Sequence, residues 1–160
     1  MESRKQIKIS QIWEKISLGQ CPSGTWAFQV KTMSDFLGTI ESLADRYAKG
    51  ILKPSKVVAA HIDQIIKKDS KLGAFQHVFF DEAMEQAISA DKALAAGCIL
   101  GPFHGIPFAL KDIYEYQGQI CTHGSMAHKG RVSTVTGTVV SRLLAAGGIL
   151  LGRTKTVEHA

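Results

Sequence analysis

Lys111 is the residue of this 160-residue chain whose setting is best suited to chemistry. It closes the run Gly101-Pro102-Phe103-His104-Gly105-Ile106-Pro107-Phe108-Ala109-Leu110-Lys111-Asp112, in which a Gly/Pro-rich turn leads into a short apolar strand. A lysine held there away from bulk water is shifted toward its neutral amine, because desolvation disfavours the charged form, and a neutral amine serves as a general base. The glycines let backbone come close to a ligand. Ligands of open α/β sheets sit at the carboxyl ends of strands, which is where Lys111 falls. Spacing alone leaves a competing reading open: a surface lysine that begins a loop.

The other reactive residue types form weaker patterns. His61, His77, His104, His123, His128 and His159 are scattered. His123 and His128 stand five apart in a loop, which matches no recognised metal spacing, so no metal is expected. His104 reads as a structural loop residue. Ser125 follows Gly124 but lacks the flanks of a Gly-x-Ser-x-Gly elbow. Gly147-Gly148-Ile149-Leu150-Leu151-Gly152 reads as a helix stop followed by a strand rather than a phosphate loop, and no cofactor is expected.

The elements that must position Lys111 follow from periodicity. Ser34 is an expected N-cap for a helix with Phe36, Leu37, Ile40, Leu43, Ala44 and Tyr47 on one face, ending at Gly50. A second helix follows Pro54-Ser55, with Val58, Ile62, Ile65 and Ile66 at helical spacing and Lys67-Lys68 in its last turn. Residues 74–80 are β-like. Asp81 is the expected cap of a third helix, with Ala83, Ala87, Ala90 and Leu94 along one stripe and Gly97 closing it. Residues 106–110 form the strand before Lys111, and residues 112–135 read as extended loop. A helix is expected over 136–146 and a doubly buried strand at Ile149-Leu150-Leu151. Helices alternating with short buried strands imply an α/β layered fold.

Length, charge and cysteines bound the remaining possibilities. One domain fits this length. Residues 1–32 carry five Lys/Arg against two acids, three of the net charge of +5, and no basic stripe is interleaved with aromatics. A direct nucleic-acid role is therefore not expected. No stretch has the length of a membrane span, and the N-terminus lacks the apolar core of a secretory signal. Cys21, Cys98 and Cys121 are odd in number and widely spaced, as in reduced cytoplasmic proteins. Residues 1–32, with Ile9, Ile12, Trp13 and Ile16 on one side of a short amphipathic turn, read as an atypical leader: an upstream extension before a start at Met33, or, as the alternative, a targeting or docking arm. A domain of two or three strands with open edges reads as truncated, and its edges could support self-association.

Several segments together resemble one family. The run from Gly101 to Asp112 is similar to the lysine segment of the amidase signature family, G-P-L-x-G-I-P-x-x-x-K-D. Thr122-His123-Gly124-Ser125 matches the family's T-x-G-S. Residues 138–154 resemble its T-V-V-x-R-L-x-x-A-G-A-x-x-x-G-K-T segment, and Ser55 to Phe75 the helix that leads to its N-A-F. The resemblance covers residues 33–160. Departures are Thr136 where Asp is common, Lys155 where Asn often follows, and His159 in place of Phe after Glu158.

The resemblance implies that 33–160 is a truncated amidase-signature domain, the N-terminal portion of a layered α/β/α fold with part of a mixed central sheet. It implies hydrolysis of a carbon–nitrogen amide bond in small-molecule amide substrates by complete homologues, through a Ser-cisSer-Lys mechanism. Lys111 maps to the base. Both serines belong to a Gly/Ser-rich segment that these 160 residues do not contain, so the chain alone is expected to be inactive. The substrate-binding residues are not assigned. The alternative is a non-catalytic relic or interaction module that keeps Lys111 for packing. A third reading, a Schiff-base lysine, would need an acid/base partner from Asp112 or the histidines.

Overall fold

The computed structural model describes Phe36 and residues 38–160. The expected cap Ser34, the face residue Leu37, the leader and Cys21 lie outside the described residues.

Helix α1 (Ile40–Ala48) starts at Thr39, whose side chain accepts from the Ser42 amide at 3.2 Å. Its Leu43 and Tyr47, four apart, are buried, and Phe36 packs against the same cluster. Helix α2 (Pro54–Leu72) has Pro54 in its first turn, where the missing N–H costs nothing, and ends at Gly73 in the left-handed region. Lys53 supplies no side-chain cap for α2. Asp91 of the neighbouring helix does that work: it accepts from the Ser55 amide at 3.0 Å and from its hydroxyl at 2.5 Å.

Strand β1 (Phe75–Val78) leads directly into α3 (Phe80–Ala95). Asp81 is not the cap of this helix. Phe79 occupies that position without a side-chain hydrogen bond, and Asp81 and Glu82 lie in the first turn, where they complement the helix dipole. The cause is tertiary: the Phe79 amide donates to Leu151 O at 2.9 Å, so the sheet sets where the helix begins. Strand β2 (Pro107–Lys111), helix α4 (Thr138–Ala145) and strand β3 (Ile149–Thr154) complete the layers.

The sheet order is β1-β3-β2. Strand β3 runs antiparallel to β1 and parallel to β2, and its residues from Ile149 to Arg153 are all buried, as the doubly covered strand requires. Ile149 and Leu151 pack on α2 and α3 through Val58, Ile62, Ala83, Met84 and Ala87. Leu150, on the other face, packs with Leu110 and with Val140 of α4. The result is the expected helix–sheet–helix layering. The small residues Ala83, Ala87 and Ala90 let α3 approach closely.

Residues 112–135 are more ordered than a plain loop. An antiparallel bridge joins Ile120 to Val132, flanked by Cys121 N–H to Arg131 O and Ser133 N–H to Gln119 O, and a 3-10 turn spans Met126–His128. The segment leading to Lys111 is fastened by the Tyr47 hydroxyl, which donates to Gly105 O at 3.2 Å. Gly105 has φ +73°, and a Cβ there would collide with Pro54. Among the described residues, no helix is long and apolar enough to cross a membrane.

Gly152 is where β1 and β3 meet most tightly. A Cβ would run into His77 O and come within 3.1 Å of Val78 Cα. Gly152→Ala should therefore destabilise the fold by about 1–3 kcal/mol through forced backbone displacement. Urea unfolding checks this, and an unchanged midpoint would count against the close approach.

Candidate active site

Lys111 is the last residue of β2 and pairs with Thr154, the last residue of the parallel strand β3. The Asp112 amide continues the ladder to Thr154 O at 3.0 Å, and the chain then turns, with the Ile113 and Tyr114 amides both donating to Lys111 O. Successive side chains of a strand alternate in direction. Leu110 and Asp112 are accordingly buried, and Lys111 between them is exposed. The sequence expectation of a desolvated lysine is thus not met by the described residues. An apolar strand fixes the backbone around a lysine without deciding what covers its amine.

Asp112 and Arg153, both fully buried, form the polar centre beneath the lysine. Arg153 Nη2 and Nε donate to Asp112 Oδ1 at 2.9 and 3.3 Å. Thr122 donates its hydroxyl to Oδ2 at 2.5 Å and its amide to both oxygens at 3.2 Å. Arg153 Nη2 also donates to Tyr114 O at 2.9 Å. Burial pushes the Asp112 carboxyl up, but the hydrogen bonds from Thr122 and Arg153 and the guanidinium charge outweigh it and hold the group below its ordinary value. With both oxygens engaged, Asp112 has no role to spare for a Schiff-base lysine.

A second polar cluster lies in the segment after Lys111. Glu115 Oε1 accepts from Arg131 at 2.8 Å and faces His123 Nε2 at 3.1 Å. Burial raises the Glu115 carboxyl, yet the nearby Ser133 hydroxyl, His123, and the hydrogen bond and charge of Arg131 bring it down to about 2. Burial pushes the Cys121 thiol up.

The remaining candidates hold structural posts. His104 is buried, with Nδ1 accepting from the Leu100 amide at 3.4 Å and Nε2 against Ala90 O at 3.1 Å. Ser125 is also buried; it caps the 3-10 turn and donates to Glu158 Oε1 at 2.6 Å. The sequence motifs contain both Asp112 and Arg153, but sequence reasoning offered Asp112 only as an acid/base partner in the Schiff-base reading and gave Arg153 no task. The signal that could have found them was an arginine inside a strand that is otherwise apolar.

Lys111 thus stands at the carboxyl end of a parallel strand pair, next to a buried carboxylate–guanidinium pair. The chain belongs to the amidase family, whose sequence profile, described as Amidase, matches residues 56–160. It is 38% identical over 129 residues to the A-type subunit of the glutamyl-tRNA(Gln) amidotransferase from Streptomyces coelicolor, covering 80% of this chain and 26% of that protein. The corresponding protein of Protochlamydia amoebophila is 34% identical over 118 residues, 74% of this chain and 24% of the relative. The solved peptide amidase of Stenotrophomonas maltophilia superposes with a TM-score of 0.70 at 27% identity, over 83% of this chain and 26% of that one. A bacterial aryl acylamidase of the amidase signature family does so with a TM-score of 0.70 at 25% identity, over 76% and 26%. The chain therefore spans about a quarter of the length of the relatives it matches. The amidase-signature α/β fold expected from sequence is borne out.

Arg153→Met should destabilise the chain by about 3–5 kcal/mol, because it leaves Asp112 buried without its counter-charge. The depressed Asp112 carboxyl contributes stability at pH above its unfolded value of 3.8, and that contribution is lost as pH falls through the folded value. Urea midpoints measured from neutral pH down to acid should fall more steeply for the wild type than for Asp112→Asn. Parallel slopes would show that Asp112 is not held ionised by the fold.

Proposed function

We propose that Lys111 is the proton-accepting residue of an amide-hydrolysing site completed by serines outside these 160 residues, and that the 160 residues alone do not turn over. The observation that carries this reading is the position of Lys111 at the carboxyl end of the parallel β2–β3 pair, on a strand anchored by Asp112 and Arg153. Its exposure supports the second part of the proposal: the described residues do not withdraw the amine from water.

In the complete site, the neutral lysine takes a proton through a bridging serine and so activates a second serine against the amide carbonyl. Backbone N–H groups stabilise the oxyanion. The proton then passes to the leaving amine, and water releases the acyl group. Membership in the amidase family supports a linear carbon–nitrogen amide bond as the target. The relatives include glutamyl-tRNA(Gln) amidotransferases and a peptide amidase, so amides of more than one kind are taken within the family. Free Cys98 and Cys121 accord with a cytoplasmic setting.

Ammonia release from primary amides should be the same for the chain and for its Lys111→Ala variant. A chimera in which residues 38–160 replace the matching stretch of the Streptomyces relative should hydrolyse amides, and Lys111→Ala in the chimera should cost about 10²–10⁴-fold in kcat. Turnover by the isolated chain above its lysine variant would overturn the inactivity. An active chimera indifferent to Lys111→Ala would overturn the assignment.

A further inference from the structure

We propose that Glu115, Cys121 and His123 form a zinc site that clips together the segment following Lys111. The proposal does not depend on the amide chemistry. One ligand atom from each of the three residues, a carboxylate oxygen, a thiol sulfur and a ring nitrogen, lies within 4.8 Å of the other two. Zinc bonds of about 2.0–2.3 Å at tetrahedral angles set ligand atoms about 3.5 Å apart, so shifts of about 1 Å in the ligand atoms bring them to that spacing. The His123 ring already faces the Glu115 carboxylate, with Nε2 at 3.1 Å from Oε1.

The cluster is held by backbone rather than by chance contact. Thr122, between Cys121 and His123, is bound through both its amide and its hydroxyl to the buried Asp112. The Cys121 amide donates to Arg131 O, which fixes the other side. His123 has φ +53°, a left-handed conformation uncommon outside glycine, and its ring packs edge-on against that of His128 at 6.0 Å. Cys121 is fully buried, with Sγ 3.7 Å from Tyr114 O and the His123 backbone amide also close to it.

One oxygen of the cluster points to a ligand. Both Arg131 and His123 engage Glu115 Oε1, whereas Oε2 is buried and has no hydrogen-bond partner. The Ser133 hydroxyl lies close enough to lower the Glu115 carboxyl, but its own hydrogen bond runs to Val135 O at 2.7 Å. Buried polar atoms seldom lack a partner. A cation bound at Oε2 satisfies this atom while Arg131 keeps its bond to Oε1. Thiolate, imidazole and carboxylate together select zinc among common divalent ions.

Binding balances as an exchange without redox change. Zinc sheds water, the Cys121 S–H bond breaks with its proton passing to solvent, and the Zn–S bond forms. His123 coordinates through the lone pair of its neutral ring, with the proton on the opposite nitrogen. One thiolate and one carboxylate neutralise the double charge of the ion. The fourth tetrahedral position stays open to water.

The test uses the 160-residue chain, stripped of metal and titrated with Co²⁺. The expected result is one Co²⁺ per chain, a thiolate-to-cobalt charge-transfer band in the near ultraviolet, intensified visible bands of tetrahedral coordination, and displacement by Zn²⁺. Cys121→Ser should abolish the charge-transfer band, and Cys98→Ser should leave it intact. Glu115→Gln and His123→Asn, the latter tolerant of the left-handed backbone, should weaken binding by more than about tenfold. X-ray absorption of the wild-type chain with one zinc should find a single sulfur neighbour at about 2.3 Å and nitrogen or oxygen neighbours at about 2.0–2.1 Å. That last measurement is independent of whether any variant folds. A zinc shell without sulfur, or a cobalt band that survives Cys121→Ser, would overturn the proposal.

Discussion

The ion pair between Asp112 and Arg153 ties together what would otherwise be separate pieces of chain. Arg153 belongs to the central strand and Asp112 to the first residue past β2, 41 positions earlier. Through Thr122 and Tyr114 O the same two residues also hold both ends of the turn that follows. Two full charges out of water are costly unless paired and hydrogen-bonded on most of their atoms. Asp112 meets this condition with both oxygens, and Arg153 with Nε and Nη2, while Nη1 is buried without a partner. Such a pair contributes less to net stability than to geometry: the register that places Lys111 beside Thr154 is the one in which these charges meet.

The layers around the pair show why it can be dry. Strand β3 is covered by α2 and α3 on one face and by α4 on the other, so Arg153 follows four buried residues along the strand. Alternation then sorts the neighbouring strand. Asp112 turns inward to the guanidinium, and Lys111 turns outward. The outward residue keeps a backbone fixed by the strand ladder and a side chain exposed among the described residues.

Much of this arrangement was legible in the residues. Pro54 and Gly73 bracket α2 because proline suits the first turn and glycine the left-handed exit. The Gly147-Gly148 stop and the apolar run after it announced β3, and Ile106 to Leu110 announced β2 to within a residue. What stayed hidden depends on partners far along the chain. The start of α3 is set by Leu151 O, not by Asp81, and the cap of α2 comes from Asp91 on another helix. The organisation of residues 112–135 rests on Asp112, Arg153 and the Ile120–Val132 bridge, none of which leaves a periodic trace. The site was half visible for the same reason. The motif around Lys111 marked the position, whereas its exposure follows from packing that a single strand does not encode.

The strand order also governs the sequence of folding events. The central strand β3 is the last of the three along the chain, and β1 and β2 meet each other only through it. Both strand pairings of the sheet need residues 149–154, whereas the contacts between α2 and α3, with Ser55 bound to Asp91, are nearer along the chain. Residues 149–154 are therefore the seam on which the sheet closes, and Lys111 gains its strand neighbour Thr154 only when that seam is made.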